Sequence, residues 1–401
     1  MNTLLFALIR ALRRHAWLRL MACAFVFSSL GNGLTQVVVF GQLLRWQAAP
    51  ATLTLAWLLA LLPGFLGSLL GERLCQRHSP LRILLGGEAL GLLALIFPLA
   101  GLHLHSIPLL LAVQSAEALL SGMTWPALTQ LFKRGLHQDE LPAATAMENL
   151  IFASQVLLGT GLGVLLFGRV DPQWLLGIDA LSFVMATLLL WRCAGRFTQS
   201  VTSQEATDSA PVRWRILTRR QQRSLLLLPA LAAVGAPAMA LLPALAQQLR
   251  PEESTGLALP LLFSRSLGQL CGPMLLNGQK MPQHVQRNSL LIGCLLLFLG
   301  AYATLPLLST LTFAALVAIF IAHLASNVVF ALGTFSVLHH FSSRQVASAS
   351  ARAWRWQTLS ATLFTALAAA LTRHLSASLT LWCVSLGALL LVSGVLFFFR
   401  E

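Results

Sequence analysis

A run of roughly 20 apolar residues is long enough to cross the ~30 Å hydrocarbon core of a bilayer. The 401-residue chain contains twelve such runs, at about 17–45, 50–71, 82–101, 107–131, 141–169, 174–192, 224–249, 254–277, 288–308, 310–338, 350–371 and 377–399. Nothing constrains the fold more. In lipid every backbone N–H and C=O must be satisfied within the protein, so continuous apolar runs predict helices. A β-barrel would show short segments of alternating hydropathy instead. Composition agrees: the chain is 57% hydrophobic and 10% charged, against about a quarter charged in soluble domains. The predicted class is an all-α polytopic membrane protein.

The single long polar interval, Trp191 to Ser224, carries seven arginines and two acids, Glu205 and Asp208. It divides the chain into a lead-in (1–16), a six-helix bundle (17–192), a basic linker (193–223) and a second six-helix bundle (224–401). The formal net charge is +14, which taken alone suggests a polyanion partner. Its distribution argues for topology: with the N-terminus inside, 22 of the 27 basic residues fall on the cytoplasmic side, and the outside holds Arg45, Arg169, Arg250 and Arg373. This positive-inside bias predicts cytoplasmic termini and no nucleic-acid partner. The first apolar stretch is too long for a cleaved signal peptide and no small-residue cleavage site follows it. The six cysteines are scattered without a CxxC or Cys/His cluster, which predicts free thiols and no metal site. No cofactor motif is present.

Polar residues inside the apolar runs are the functional candidates, because they are costly in lipid and must find a partner, a cavity or a pathway. Span 1 carries Asn32 and, one turn on, Gln36. Span 4 carries Gln114, Glu117 and Ser121 on one helix face, with Glu117 close to mid-depth. Span 5 carries Glu148 and Gln155. Span 8 carries Arg265 at mid-depth, and span 10 carries His323 and Asn327 one turn apart. Each has a bland alternative: Asn32 as interhelical glue, Glu117 as a structural carboxylate, Glu148 as a headgroup-level acid, His323 as a satisfied core group. Glu88, near the end of span 3, is within reach of Arg82 or the headgroups. Asp179 in the first turns of span 6 suits a helix N-terminal dipole. Trp354, Arg355 and Trp356 read as an interfacial anchor. Gly67 and Gly71, Gly159 and Gly163, and Gly268 and Gly272 have the small-xxx-small spacing of close helix packing. The first and last of these pairs are offset by 201 positions, a weak sign of two related halves.

The turn Gly67-Ser68-Leu69-Leu70-Gly71-Glu72-Arg73, with Arg77, resembles the loop between helices 2 and 3 of the major facilitator superfamily. Glu72 stands where aspartate is usual, and Gln76 where a basic residue is common. The stretch from Asp139-Glu140-Leu141-Pro142 through Gly159-Thr160-Gly161-Leu162-Gly163 to Asp179-Ala180-Leu181-Ser182-Phe183 is similar to the branch that includes the enterobactin exporter and macrolide-efflux proteins. Thr160 replaces that branch's helix 5 proline, and Val164 its second glycine. The resemblance covers residues 17–193 well and the remainder by layout.

It implies a fold of two six-helix bundles around a central cavity, and a latch formed by Gly67, Gly71, Glu72, Arg73 and Arg77. The expected function is secondary active transport by alternating access: proton-coupled export of an amphipathic anionic molecule such as a siderophore or drug. Glu117 and Glu148 are the expected proton carriers. Asn32, Gln36, Gln114, Gln155, Arg265, His323 and Asn327 are the expected cavity lining. The expected setting is a monomer in a bacterial cytoplasmic (inner) membrane, with a small-molecule substrate, protons and lipid as partners. The alternatives are import of a metal–siderophore and a non-transport sensor. No HExxH, G-x-S-x-G or P-loop motif supports an enzyme.

Overall fold

A computed structural model describes residues 3–48, 50–200, 210–249, 254–308, 311–372 and 374–399. All twelve apolar runs fall on helices. After an N-terminal helix α1 (Leu4–Arg14) come α2 (Ala16–Arg45), α3 (Pro50–Leu59), α4 (Pro63–Arg77), α5 (Pro80–Ala94) and α6 (Ile96–His103). Then follow α7 (Ile107–Gly135), α8 (Leu141–Ala153), α9 (Gly161–Leu166) and α10 (Pro172–Ser200). The expected linker is helical at both ends, since α10 runs to Ser200 and the next helix starts at Arg219; the second half holds α11 (Arg219–Leu249), α12 (Ser254–Met274), α13 (Met281–Gln286), α14 (Asn288–Thr304) and α15 (Thr312–His340), then α16 (Val346–Leu371), α17 (Ala377–Leu381) and α18 (Gly387–Phe398). Linker residues 201–209, including Glu205 and Asp208, lie outside the described residues, as do Arg250 and Arg373.

Among the described residues, nine helices are long and apolar enough to cross a membrane. The run at 50–71 is not one of them, since it is broken between α3 and α4 ahead of Pro63. Neither are α12, which carries Arg265, and α16, whose first turns carry Arg352 and Arg355. The chain is an all-α polytopic membrane protein.

Two spans contain π-helical turns that the apolar pattern does not announce: Ser154–Thr160 joins α8 to α9, and Trp382–Leu386 joins α17 to α18. A π turn inserts one residue into the helical ladder without changing its hydropathy.

The residues group into two units. One comprises Leu8–Pro211 with Ser342–Arg355; the other comprises Met1–Ala7, Val212–Phe341 and Trp356–Glu401. In the first unit, α2 meets the π turn of span 5 backbone to backbone. A methyl group on Gly159 would stand 2.6 Å from the Leu30 carbonyl oxygen and 2.7 Å from the Gly33 Cα, and one on Gly163 would stand 2.8 Å from the Val37 side chain. In the same unit α4 packs on α7, with Gly67 against the Leu119 carbonyl and Gly71 against that of Met123. In the second unit α12 packs on α15, with Gly268 against the Phe320 carbonyl and Gly272 against that of Leu324. Gly67 and Gly268, Gly71 and Gly272, Leu119 and Phe320, and Met123 and Leu324 are each 201 positions apart. The repeat extends from the glycines to the residues they touch, so the same helix-pair geometry is built once in each unit.

Candidate functional site

In the first unit the chemistry converges on three acids. Asp179 of α10 is fully buried. It accepts a 2.5 Å hydrogen bond from Thr35 Oγ1 of α2 and a 3.1 Å bond from Ser182 Oγ one turn on. Gly31 of α2 makes room for this group, since a Cβ there would overlap Asp179 Oδ1 and Ser182 Oγ. The Asp179 carboxylate lies within electrostatic reach of Glu88 on α5 and Glu117 on α7. Glu88 is 7% exposed and is hydrogen-bonded by Ser28. Glu88 Oε2 and Glu117 Oε1 are buried and find no hydrogen-bond partner among the described residues. Glu88 therefore faces the interior rather than Arg82 or a headgroup. Asp179 is tied to α2 by side-chain bonds rather than serving a helix dipole alone. Neither was singled out with Glu117 by spacing, because the three come from different helices.

The neighbouring candidates of this unit have mixed settings. Gln114, on the face of α7 that carries Glu117, is 2% exposed, and its Nε2 finds no partner among the described residues. The same holds for Asn32 Oδ1, while Asn32 and Gln36 are half-buried. Gln155 lies inside the π turn, where its carbonyl accepts from Thr160 Oγ1 at 3.3 Å. Glu148 is 1% exposed, in the protein interior.

In the second unit the buried chemistry has the opposite sign. Arg265 of α12 is half-buried, and its buried Nε meets no hydrogen-bond partner among the described residues. It is in the electrostatic field of Tyr302 and His323. His323 is 1% exposed; its Nε2 and the Tyr302 hydroxyl are 2.8 Å apart, and its Nδ1 finds no partner among the described residues. Phe298 packs edge-on to His323 with ring centroids 5.5 Å apart, completing an aromatic wall. Asn327 donates to the His323 carbonyl one turn back at 3.1 Å, so its amide is satisfied within its own helix. The described residues of this unit contain no Asp or Glu. Sequence reasoning passed over Tyr302. Its one signal is that it is the chain's single tyrosine, set in an otherwise apolar span.

Glu72, Arg73 and Arg77, expected in a turn, lie in the last turns of α4, and Glu72 has a partner that sequence reasoning also missed. Glu72 Oε2 pairs with Arg355 Nη2 at 2.7 Å, and its Oε1 accepts from Ser348 Oγ. Arg355 Nη1 reaches the Ser68 carbonyl at 3.5 Å, Trp354 packs against Trp125 with centroids 5.1 Å apart, and Ser350 and Thr129 share a 3.0 Å hydroxyl bond. Arg355 and Trp354 are thus packed against α4 and α7 instead of anchoring at an interface. Arg73 and Arg77 are exposed. Further along, Glu140 ahead of α8 is 8% exposed and binds Arg14 and His15, each at 3.0 Å.

The family profile described as Major Facilitator Superfamily matches residues 21–365. Among solved structures, a bacterial homologue of the iron transporter ferroportin in an outward-facing state aligns with a TM-score of 0.69 at 15% identity, covering 96% of this chain and 98% of that one. The Escherichia coli fucose:proton symporter aligns at 0.63 and 12% identity, covering 96% and 98%. The human organic anion transporter MFSD10 aligns at 0.58 and 14%, covering 94% and 99%. At these identities the likeness is one of fold. A curated relative, an uncharacterized 29.9 kDa protein in the crtE 3' region of Pseudescherichia vulneris, is 62% identical over 71 residues. That stretch is 18% of this chain and about a quarter of the relative (26%).

Proposed function

The chain belongs to the Major Facilitator Superfamily, and we propose that within it this transporter carries out proton-coupled export of an amphipathic anionic small molecule by alternating access. Membership makes it a membrane transporter for a small-molecule substrate and not an enzyme. The observation that carries the finer reading is the separation of buried charge. One unit holds Glu88 and Asp179 buried and Glu117 half-buried with its Oε1 shielded, none with a basic partner in an ion pair among the described residues. The other holds Arg265, half-buried with its Nε shielded, in the electrostatic field of His323 and Tyr302, with no carboxylate among its described residues.

A buried ion is costly unless a counter-charge satisfies it. A proton neutralises a carboxyl, and an anionic solute neutralises an arginine. In this reading Glu117 is the primary proton carrier and Glu148 the secondary one. Arg265 and His323 receive the anionic group of the solute, and Asn32, Gln36, Gln114, Gln155 and Asn327 line its path. Glu72, Arg73 and Arg77, with Gly67 and Gly71, act as a conformational latch, and Arg355 is the partner that Glu72 releases and recaptures. The enterobactin-exporter and macrolide-efflux branch, and placement in a bacterial inner membrane with cytoplasmic termini, belong to the same proposal. The iron named for the ferroportin homologue is not carried over, because the second unit buries a cation of its own.

The test is uptake and release of a panel of siderophores, organic anions and neutral amphiphiles in proteoliposomes with an imposed pH gradient. Anion flux opposite to the proton flow supports antiport export. Anion flux along the proton flow favours the importer, and transport of neutral amphiphiles alone contradicts the role given to Arg265.

A further inference from the structure

The second unit has an open-sided apolar groove of about 370 Å³ between α11 and α16. Leu226 and Pro229 form one wall, and Leu359 and Leu363 the other. One end is closed by two indoles, Trp214 and Trp356, in edge-to-face contact with centroids 5.1 Å apart. The Trp214 end is built rather than incidental. Its ring also meets Phe399 edge-on at 5.9 Å, and its carbonyl accepts from Gln222 Nε2 at 3.0 Å. From Trp356 to Leu363 the α16 wall runs ~10 Å at the helical rise per residue, a useful length for several methylenes of an extended chain.

The short segment that carries Trp214 is also strongly basic. Arg213, Arg215 and Arg219 flank the indole and are all exposed. With no Asp or Glu among the described residues of this unit, these guanidinium groups have no carboxylate there to pair with. An apolar slot running into a span, lined by two indoles at the segment that carries three exposed arginines, matches the order of parts in one kind of molecule: acyl chain, glycerol level, phosphate. Indoles settle at that middle level, and arginines at a bilayer surface attract anionic lipid.

We infer that the groove between α11 and α16 binds an anionic phospholipid, its acyl chain against Leu226, Pro229, Leu359 and Leu363 and its phosphate on Arg213, Arg215 and Arg219. The site depends on the chain spanning a membrane and is independent of the transport reading.

The experiment places the full chain in phosphatidylcholine nanodiscs. Brominated phosphatidylglycerol or brominated phosphatidylcholine is titrated in as a minority lipid, and tryptophan emission is followed. The contribution of the two indoles is isolated by comparison with Trp214→Phe/Trp356→Phe. Brominated phosphatidylglycerol is expected to quench that component at mole fractions where brominated phosphatidylcholine does not. Replacing all three arginines by glutamine is expected to weaken the apparent affinity about a hundredfold without moving the melting temperature, because the side chains are exposed. Equal quenching by both lipids, or an unchanged phosphatidylglycerol titration in the triple variant, would overturn the inference. So would the absence of quenching of these two indoles by either lipid, which would assign the groove to another occupant. Should the triple variant fail to fold, the comparison of the two lipids on the wild-type chain still decides.

Discussion

Arg355 of α16 and Glu72 at the end of α4 form a 2.7 Å ion pair, with side chains 11% and 16% exposed. The pair is mostly withdrawn from water and is backed by Ser348 on the carboxylate and by the Ser68 carbonyl on the guanidinium. Removing one member leaves the other charge partly buried. Arg355→Met should therefore destabilise the purified protein by about 1–3 kcal/mol, below the 3–5 kcal/mol of a fully buried pair. The double variant Glu72→Gln/Arg355→Met should lose less than the sum of the single changes. Thermal unfolding of the four proteins in detergent measures this coupling, and additive losses would show that the two groups do not act as a pair.

The Thr35–Asp179 hydrogen bond gives a second expectation. The acceptor is fully buried and the bond is 2.5 Å long, so Thr35→Val keeps the shape and removes the donor. The cost should be about 1–2 kcal/mol, read as a lower melting temperature. Thr35→Ser restores the hydroxyl and should recover most of the loss. Equal destabilisation by valine and serine would assign the effect to packing.

What the sequence made legible follows from what each pattern encodes. Hydropathy marks the helices because lipid demands it residue by residue, so the twelve apolar runs fall on helices. The glycine spacing is equally visible as a pattern, but not the helix each pair meets. That emerges only when Leu119 and Phe320, and Met123 and Leu324, are seen to repeat the offset of Gly67 and Gly268. The π turn at Ser154–Thr160 leaves hydropathy unchanged and so leaves no trace. Arg355 lies between two tryptophans, a local context that resembles an interfacial anchor, and its carboxylate partner is in a distant part of the chain. Asp179, Glu88 and Tyr302 were misjudged or missed for the same reason: their roles are set by neighbours on other helices, which periodicity does not reveal.

Gly159 and Gly33 supply a third prediction. Their backbones are so close that Gly159→Val drives a branched side chain into the Leu30 carbonyl. Overpacking of this kind costs about 1–3 kcal/mol or more, and the variant should express poorly and elute as aggregate. Gly161, two residues on, has open space where its Cβ would lie. Gly161→Ala should fold and melt like the wild type. Similar behaviour of the two variants on size exclusion would contradict the packing described for α2.

Tyr302 and His323 supply a fourth. Tyr302→Phe removes the hydroxyl 2.8 Å from His323 Nε2 and leaves a buried ring nitrogen unsatisfied, at a cost of about 1–3 kcal/mol. If His323 helps to receive the anionic group, the same change should raise KM for an anionic substrate more than it lowers kcat. A melting-temperature loss with no change in KM would confine the pair to structure.

The central claim is that a carboxyl group inside the first unit couples transport to protons. Its most direct test is gradient-driven flux by Glu117→Gln in proteoliposomes, beside wild type and Glu148→Gln. Glu117→Gln should keep the wild-type elution profile and still exchange substrate across the membrane, but lose net transport driven by the pH gradient. Gradient-driven flux at the wild-type rate in this variant would contradict the account.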